Sequence, residues 1–306
     1  MPIRKEFVSR TLALHGEAGR LWLERLPDLV ERCAARWSLN VGPPFPALSY
    51  NYAAPAEGPR GERFVLKLGV PTHGLLYEID ALLGFDGGGA VRLFDSDAAR
   101  GALLLERLEP GTPLLALCEE DDEAATAAAA AVMRRLSRAG RHRPHRLPTA
   151  ADWGQGFERC RAHFGGGSGP LPRKLFEEAE SLYAELLSTS APPILLHGDL
   201  HHENILAAGR EPWLAIDPQG VAAEPAYEVG ALLRNPVPQL LRWPRPVRVT
   251  ERRIAQLSDE LGFERARVRG WGLAQAVLSA WWTIEDGGEL GENGYAAAEI
   301  LAATKI

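Results

Sequence analysis

The stretch from Pro193 to Asp217 constrains this chain more than any other. Short apolar residues Pro193–Leu196 lead into the polar run His197-Gly-Asp199-Leu-His201-His202-Glu203-Asn204. Apolar character returns at Ile205–Ala207, Gly209-Arg-Glu-Pro212 is built for a turn, and Trp213–Ile216 follows before Asp217. Two apolar runs joined by a short Gly- and Pro-containing turn predict an antiparallel hairpin. Asn204 immediately precedes the first strand and Asp217 immediately follows the second, so both side chains belong at the open end of that hairpin.

An amide oxygen and a carboxylate brought to one point are hard oxygen ligands, suited to Mg²⁺ and to phosphates held beside it. Asp199 lies five residues before Asn204, within reach as a base. A lone aspartate more often caps a turn, and Asp199 or Asp217 taken singly carries no more than that. The joint spacing, H-G-D-x-x-x-x-N followed by a hairpin and Asp, is far more specific. It has the layout of a phosphoryl-transfer site, in which a loop aspartate orients the attacking hydroxyl and metal ligands neutralise a triphosphate.

The rest of the chain bounds what surrounds this site. At 306 residues, it is long enough for two domains or one bilobal unit. With 34 basic against 40 acidic residues, the net charge of −6 argues against a nucleic-acid binder held by a basic face. The basic cluster Arg141–Arg146 is interrupted by Pro144 and reads as a solvated loop. Cys33, Cys118 and Cys160 are far apart with no C-x-x-C pair, as expected of buried thiols in a reducing compartment. Met1–Leu14 lacks the apolar core of a secretory signal, and no apolar run approaches the ~18–20 residues of a membrane span. A soluble, cytoplasmic protein with no membrane partner is expected.

Hydrophobic patterning predicts one or two helices over Gly19–Trp37, broken at Pro27, and strands at Ala47–Ala54 and Arg63–Leu68. A helix over Thr72–Phe85 and strands at Ala90–Phe94 and Ala102–Leu105 follow. The β-β-α-β-β order suggests an antiparallel sheet with one helix packed on it. After Glu106–Thr112 the chain turns helical. One helix is expected over Glu119–Gly140, opening on the acidic run Glu119–Glu123, another over Arg173–Leu187, and a mostly helical tail from Glu251. The boundary therefore falls between residues 1–106, with helices in 1–40 preceding the sheet, and residues 107–306. In Phe64–Leu68, alternation puts Phe64, Leu66 and Leu68 on one face and Lys67 on the other. In the next helix, Glu78 and Asp80 flank the apolar stripe equally, so periodicity does not say which faces Lys67. The Gly165–Gly169 run lacks the G-K-[S/T] ending of a phosphate-binding loop and reads as a flexible loop.

Taken together, these motifs resemble the aminoglycoside phosphotransferases of the protein-kinase-like superfamily, most closely the streptomycin 6-kinase / hydroxyurea kinase branch. The residues that carry the resemblance are His197-Gly-Asp199 through Asn204, Trp213-Leu-Ala-Ile-Asp217-Pro and Glu228-Val-Gly-Ala-Leu-Leu-Arg-Asn235-Pro. Leu48-Ser-Tyr-Asn-Tyr52, Val65-Leu-Lys67-Leu-Gly and Ala102 through Thr112 add to it. The resemblance implies an α+β, bilobal protein-kinase-like fold, with a small antiparallel-sheet lobe and a larger, mainly helical lobe. It implies ATP and Mg²⁺, Asp199 as the residue orienting the acceptor hydroxyl, and Asn204 and Asp217 as metal ligands. Lys67 would clamp the phosphates and Glu78 hold that lysine, while backbone groups of Glu106 and Leu108 would meet adenine. The late helical region would line the substrate cleft, which brings in Glu285, Asp286 and Trp282 as contacts to a cationic substrate.

Two departures stand out. Ser49-Tyr-Asn-Tyr-Ala53 replaces a G-x-G-x-x-G phosphate loop, and Pro218-Gln219-Gly220 follows the metal aspartate in place of Phe-Gly. The expected activity is transfer of the γ-phosphate of ATP to a hydroxyl of a streptomycin-like aminoglycoside, by a monomer or weak dimer. Hydroxyurea or another metabolite is the alternative acceptor. A metal-dependent hydrolase using His197, Asp199, His201 and His202 leaves Lys67 and the hairpin unexplained. A catalytically silent nucleotide binder is at odds with the retained lysine, asparagine and both aspartates.

Overall fold

The computed structural model describes residues 4–141, 146–291 and 293–306. The chain opens with α1 (Lys5–Trp37), β1 (Asn40–Val41), β2 (Tyr52–Glu57), β3 (Arg63–Leu68), α2 (His73–Phe85), β4 (Leu93–Asp97) and β5 (Ala102–Glu106). The five strands form one antiparallel sheet in the order β1-β2-β3-β5-β4. Its two faces have different partners. Leu66, Leu68 and Ala102 join Phe7, Trp22, Leu26 and Cys33 of α1 in one apolar core. Leu103 and Leu105 face the other way, onto Leu75, Ile79, Leu82 and Phe85 of α2 and the large core beyond. Strand alternation thus turns Lys67, next to Leu66 and Leu68, toward the inner side where the two lobes meet.

The larger lobe follows from β6 (Pro110–Pro113), which pairs with a single strand far along the chain. Helices α3 (Leu114–Glu120), α4 (Asp122–Ala139), α5 (Ala150–Gly154), α6 (Gly156–His163) and α7 (Arg173–Ser188) come next. Then β7 (Ile194–Leu196), β8 (Ile205–Ala208), β9 (Trp213–Ala215) and β10 (Val221–Ala223) lead to α8 (Val229–Leu233), α9 (Gln239–Arg242), α10 (Pro246–Leu261), α11 (Arg265–Glu285) and α12 (Ala296–Ala303). Strands β6-β8-β9 make one small sheet, and β7 pairs with β10. Helix α11 is the spine of this lobe: Trp271, Leu273, Ala274, Val277, Leu278 and Trp281 are all buried in the main core. No described helix is long and apolar enough to cross a membrane.

The bilobal expectation holds, with corrections to individual elements. Helix α1 runs through Pro27 and breaks at Gly16, whose φ of 52° and ψ of −127° suit only glycine. Proline costs a helix one hydrogen bond, and here the burial of Trp22, Leu26 and Cys33 on the sheet holds both flanks in line. The strand expected over Ala47–Ala54 is found at Tyr52–Glu57, so Pro55 lies within β2. It sits opposite Val65, and its carbonyl, on the side facing β1, accepts from Gly42 N–H at 2.8 Å. Its missing N–H faces that same side, where β1 ends after two residues, so no ladder bond is lost.

The single helix expected over Glu119–Gly140 is two, because Asp121 leaves the helical conformation and caps the second through Ala124 N–H at 3.0 Å. One acid of the run beside it is committed to ion pairs. Asp122 holds the guanidinium groups of Arg252 and Arg253, the latter wholly buried. Of the basic cluster 141–146, residues 142–145 lie outside the described residues.

Candidate active site

The predicted hairpin is β8–β9, with Ile205 opposite Ala215, Leu206 opposite Leu214 and Ala207 opposite Trp213. Ile216 N–H donates to the Asn204 carbonyl at 2.9 Å, which closes its open end and sets Asn204 beside the approach to Asp217. Asn204 Nδ2 donates to the Asp199 carbonyl at 2.9 Å, so the amide nitrogen is committed and Oδ1 is the atom left for a cation.

His197 locks the start of the loop to the end of β9. Its Nε2 lies 2.8 Å from the Ile216 carbonyl and its Nδ1 accepts from Asp199 N–H at 3.2 Å. One ring nitrogen donating and the other accepting requires a neutral imidazole. Burial enforces the same state, pushing the His197 pKa down to about 4. The His197 carbonyl also accepts from Gln219 and Gly220 N–H, at 2.9 and 3.1 Å, tying in the segment after Asp217. Gly198 follows with φ of 84°, and a Cβ there would lie 3.0 Å from Trp153 and from Val221. Glycine is therefore the residue that fits this turn.

Lys67 sits between two carboxylates, with Nζ 2.6 Å from Glu78 Oε1 and 3.0 Å from Asp217 Oδ1. Of the two acids that periodicity left open, Glu78 is the one on Lys67. Burial opposes the charge on Lys67, but Asp217 and Glu78 outweigh it and raise its pKa, so the ammonium persists. Strand β3, helix α2 and the end of the hairpin are thereby joined through one cation.

Two residues without an expected role complete the loop. Glu228, buried just before α8, accepts from His197 N–H at 2.7 Å and Gly198 N–H at 3.0 Å. Burial pushes its pKa up to about 7 against the pull of those two donors. Arg234, just after α8, donates to Asp199 Oδ1 at 2.5 Å. Both lie in the Glu228–Asn235 motif, where a single glutamate and arginine in an apolar stretch were the available signal.

The remaining expected site residues are placed differently. Glu106 engages Arg210 of the hairpin turn through both carboxylate oxygens, at 3.0 and 2.9 Å, and its backbone N–H is already given to the Arg92 carbonyl. That N–H is therefore not free to meet a purine. Leu108 is half-buried against the main core. Trp282 packs edge-on against Trp153 at 5.7 Å, and Trp153 abuts Gly198, so Trp282 is one ring removed from the catalytic loop. Glu285 already meets a guanidinium, that of Arg159 in α6, at 2.5 and 3.0 Å. Burial and the Glu285 charge raise the pKa of Asp286 beside it.

Among the described residues, His197, His201 and His202 do not assemble a hydrolytic metal centre. His201 Nε2 is 3.7 Å from Asp199 Oδ2. His202 is buried beside Cys118 and Asp122. There Arg253 donates to both Asp122 and Cys118 Sγ, placing a fixed positive charge where a metal would sit.

Comparison with known proteins agrees with this geometry. Residues 53–287 match the family described as aminoglycoside/hydroxyurea antibiotic resistance kinase. The streptomycin 6-kinase of Streptomyces glaucescens is 35% identical over 273 residues, spanning 89% of this chain and 87% of that protein. The hydroxyurea phosphotransferase of Kitasatospora aureofaciens is 34% identical over 301 residues, spanning 98% of this chain and 85% of that one. Among solved structures, a thermostable mutant of aminoglycoside phosphotransferase APH(4)-Ia with ADP and hygromycin B superposes with a TM-score of 0.60 at 13% identity, covering 89% of this chain and 96% of that chain. That likeness shows a shared protein-kinase-like fold. With a match spanning residues 53–287 of its 306, the chain belongs to the aminoglycoside/hydroxyurea antibiotic resistance kinase family.

Proposed function

We propose that this protein transfers the γ-phosphate of ATP to a hydroxyl of a streptomycin-like aminoglycoside. The observation that carries the reading is the linkage of Lys67, Glu78 and Asp217 across both lobes, beside a loop that presents Asp199 and Asn204. In this reading Asp199 orients the acceptor hydroxyl and takes its proton, and Lys67, positioned by Glu78, meets the phosphates. The Glu106 carbonyl and the Leu108 backbone receive adenine.

Asn204 Oδ1 and the Asp217 carboxylate form a hard-oxygen donor set that fits Mg²⁺. When bound, Mg²⁺ neutralises phosphate charge. Trp282, Glu285 and Asp286 form the substrate end, where a guanidinium or amine of the antibiotic would exchange with Arg159 for Glu285.

The test is ATP consumption with Mg²⁺ and streptomycin, in the wild type and in Asp199→Asn. Turnover that falls at least a hundredfold in the variant, with ATP still bound, is expected. Near-normal turnover in Asp199→Asn would remove the base assignment.

Hydroxyurea is the second reading, favoured by the 34% identity to the Kitasatospora aureofaciens enzyme over nearly the whole chain. Hydroxyurea is small and uncharged and needs no acid to receive it. Turnover with hydroxyurea and none with streptomycin would select it.

A further inference from the structure

Asp199 is held from two directions by one short element. Glu228, at the start of α8, fixes the backbone of the loop through His197 and Gly198 N–H. Arg234, at the end of α8, fixes the Asp199 side chain. All five residues of α8 are buried, so the two clamps share a rigid base. The Arg234 fork is split between two partners: one terminal nitrogen donates to Asp199 Oδ1 at 2.5 Å, the other to Ser279 Oγ of α11 at 3.1 Å. Neither side chain of the ion pair is more than about a fifth exposed, 16% for Arg234 and 21% for Asp199. For Asp199 Oδ2, by contrast, the partner among the described residues is His201, at 3.7 Å and beyond hydrogen-bond distance.

We propose that Arg234 is a positioning residue for phosphoryl transfer: by clamping Oδ1 of Asp199 to the Ser279 side of α11, it leaves Oδ2 as the single oxygen that receives the acceptor hydroxyl. This rests on the reading of Asp199 as the base. In the step itself, the acceptor oxygen forms a bond to the γ-phosphorus as the bond to the β–γ bridging oxygen breaks. That electron pair leaves with ADP, and the hydroxyl proton passes to Asp199 Oδ2. An unclamped carboxylate can rotate and offer either oxygen in several orientations, and misplacement of a reacting group by about 1 Å costs on the order of a hundredfold in rate. Lysine replaces this arginine only in part, since a single ammonium on a shorter reach lacks the planar fork that spans Asp199 and Ser279 together.

The experiment compares Arg234→Met, Arg234→Lys and Ser279→Ala in the wild-type and Asp199→Asn backgrounds, with melting temperature and Mg·ATP affinity as folding controls. ADP release is read with streptomycin as acceptor and, separately, with water. Arg234→Met should lower kcat on the order of a hundredfold with KM for ATP within about twofold, and Arg234→Lys should recover part of the loss. In the Asp199→Asn background neither substitution should lower kcat further, because the residue it acts through is gone. A kcat for Arg234→Met within threefold of wild type would overturn the proposal, as would a full multiplicative loss on top of Asp199→Asn. If Arg234→Met does not fold, Ser279→Ala decides the matter. It loosens only the far end of the fork, and should lower kcat several-fold in the wild type and leave Asp199→Asn unchanged. No effect in the wild type would count against the clamp. A wild type that hydrolyses ATP but ignores streptomycin would refute the acceptor assignment alone, and the Arg234 comparison is then read on hydrolysis.

Discussion

The Lys67 and Glu285 ion pairs, proposed above as the nucleotide and substrate ends of the site, use the same chemistry, a cation between or beside carboxylates, in opposite ways. At the nucleotide end, Lys67 and Glu78 are almost wholly buried and Asp217 joins them from another lobe. At the other end, Arg159 and Glu285 form a bidentate pair with 47% and 29% of their side chains exposed. A buried pair that loses one partner leaves an uncompensated charge and costs ~3–5 kcal/mol. A surface pair is worth ~0–1 kcal/mol and exchanges readily with other ions. The first is therefore fixed before anything binds, and the second, if it is the substrate end proposed above, is held together by a contact that a ligand's own cation can replace.

The largest effect expected to test this contrast is at Lys67. Lys67→Met removes the cation from between Glu78 and Asp217. It should lower the stability of the folded chain by ~3 kcal/mol in urea titration and kcat/KM for ATP by at least a hundredfold. A stability change under 1 kcal/mol would show that water or another cation compensates both acids. The nucleotide end would then be as exchangeable as the substrate end, and the contrast would be lost.

The difference in construction also explains what the sequence disclosed. The hairpin was legible because period-2 apolar runs and a Gly–Pro turn are local signals, and Asn204 and Asp217 inherit their places from it. Lys67 was legible as the one polar residue amid Leu66 and Leu68. Glu78 was not separable from Asp80, since both flank the α2 stripe, and only the position of α2 against β3 chooses between them. Glu228 and Arg234 were visible as letters and not as contacts. Their partners, His197, Gly198 and Asp199, are 30 or more residues away, a relation that no local periodicity contains. The break at Gly16 and the passage through Pro27 depend equally on packing against the sheet. Glu285 likewise carries no mark in the sequence that pairs it with Arg159, 126 residues away.

A second effect, similar in stability but without the loss of ATP turnover expected at Lys67, concerns how firmly the His197–Asn204 loop is held across pH. Glu228, whose pKa is pushed up to about 7, binds a proton in the folded state that an unfolded glutamate, titrating near ~4.3, has released. His197, pushed down to about 4, does the reverse against an unfolded value near ~6.5. Between about pH 4.5 and 6.5, one group holds an extra proton and the other one fewer, so their slopes in stability against pH oppose each other. Glu228→Gln removes the first and loses one of the two backbone contacts. The variant should be less stable than wild type at pH 4.5, and its deficit should shrink by about 3 kcal/mol as pH rises to 7, because the ionised wild-type carboxylate is penalised there. Melting temperatures across that range measure it. A deficit that does not change with pH would mean that Glu228 stays ionised throughout.

The smallest effect is the one that sharpens the contrast most. Arg159→Ala frees Glu285 while leaving the α11 spine untouched. Because the pair is partly exposed, stability should change by less than ~1 kcal/mol. If a cationic acceptor takes the place of Arg159, that acceptor no longer has to displace an internal guanidinium. KM for streptomycin should then fall several-fold with kcat unchanged, and KM for ATP should not move. Added salt should erode the gain, since the freed carboxylate is screened. Glu285→Gln should raise the same KM by a comparable factor. If Arg159→Ala raises KM instead, Arg159 itself holds the acceptor, and the substrate end is as fixed before binding as the nucleotide end. If neither variant moves KM, the ion pair stands outside the cleft, and recognition falls to Trp282, the ring that reaches the catalytic loop through Trp153.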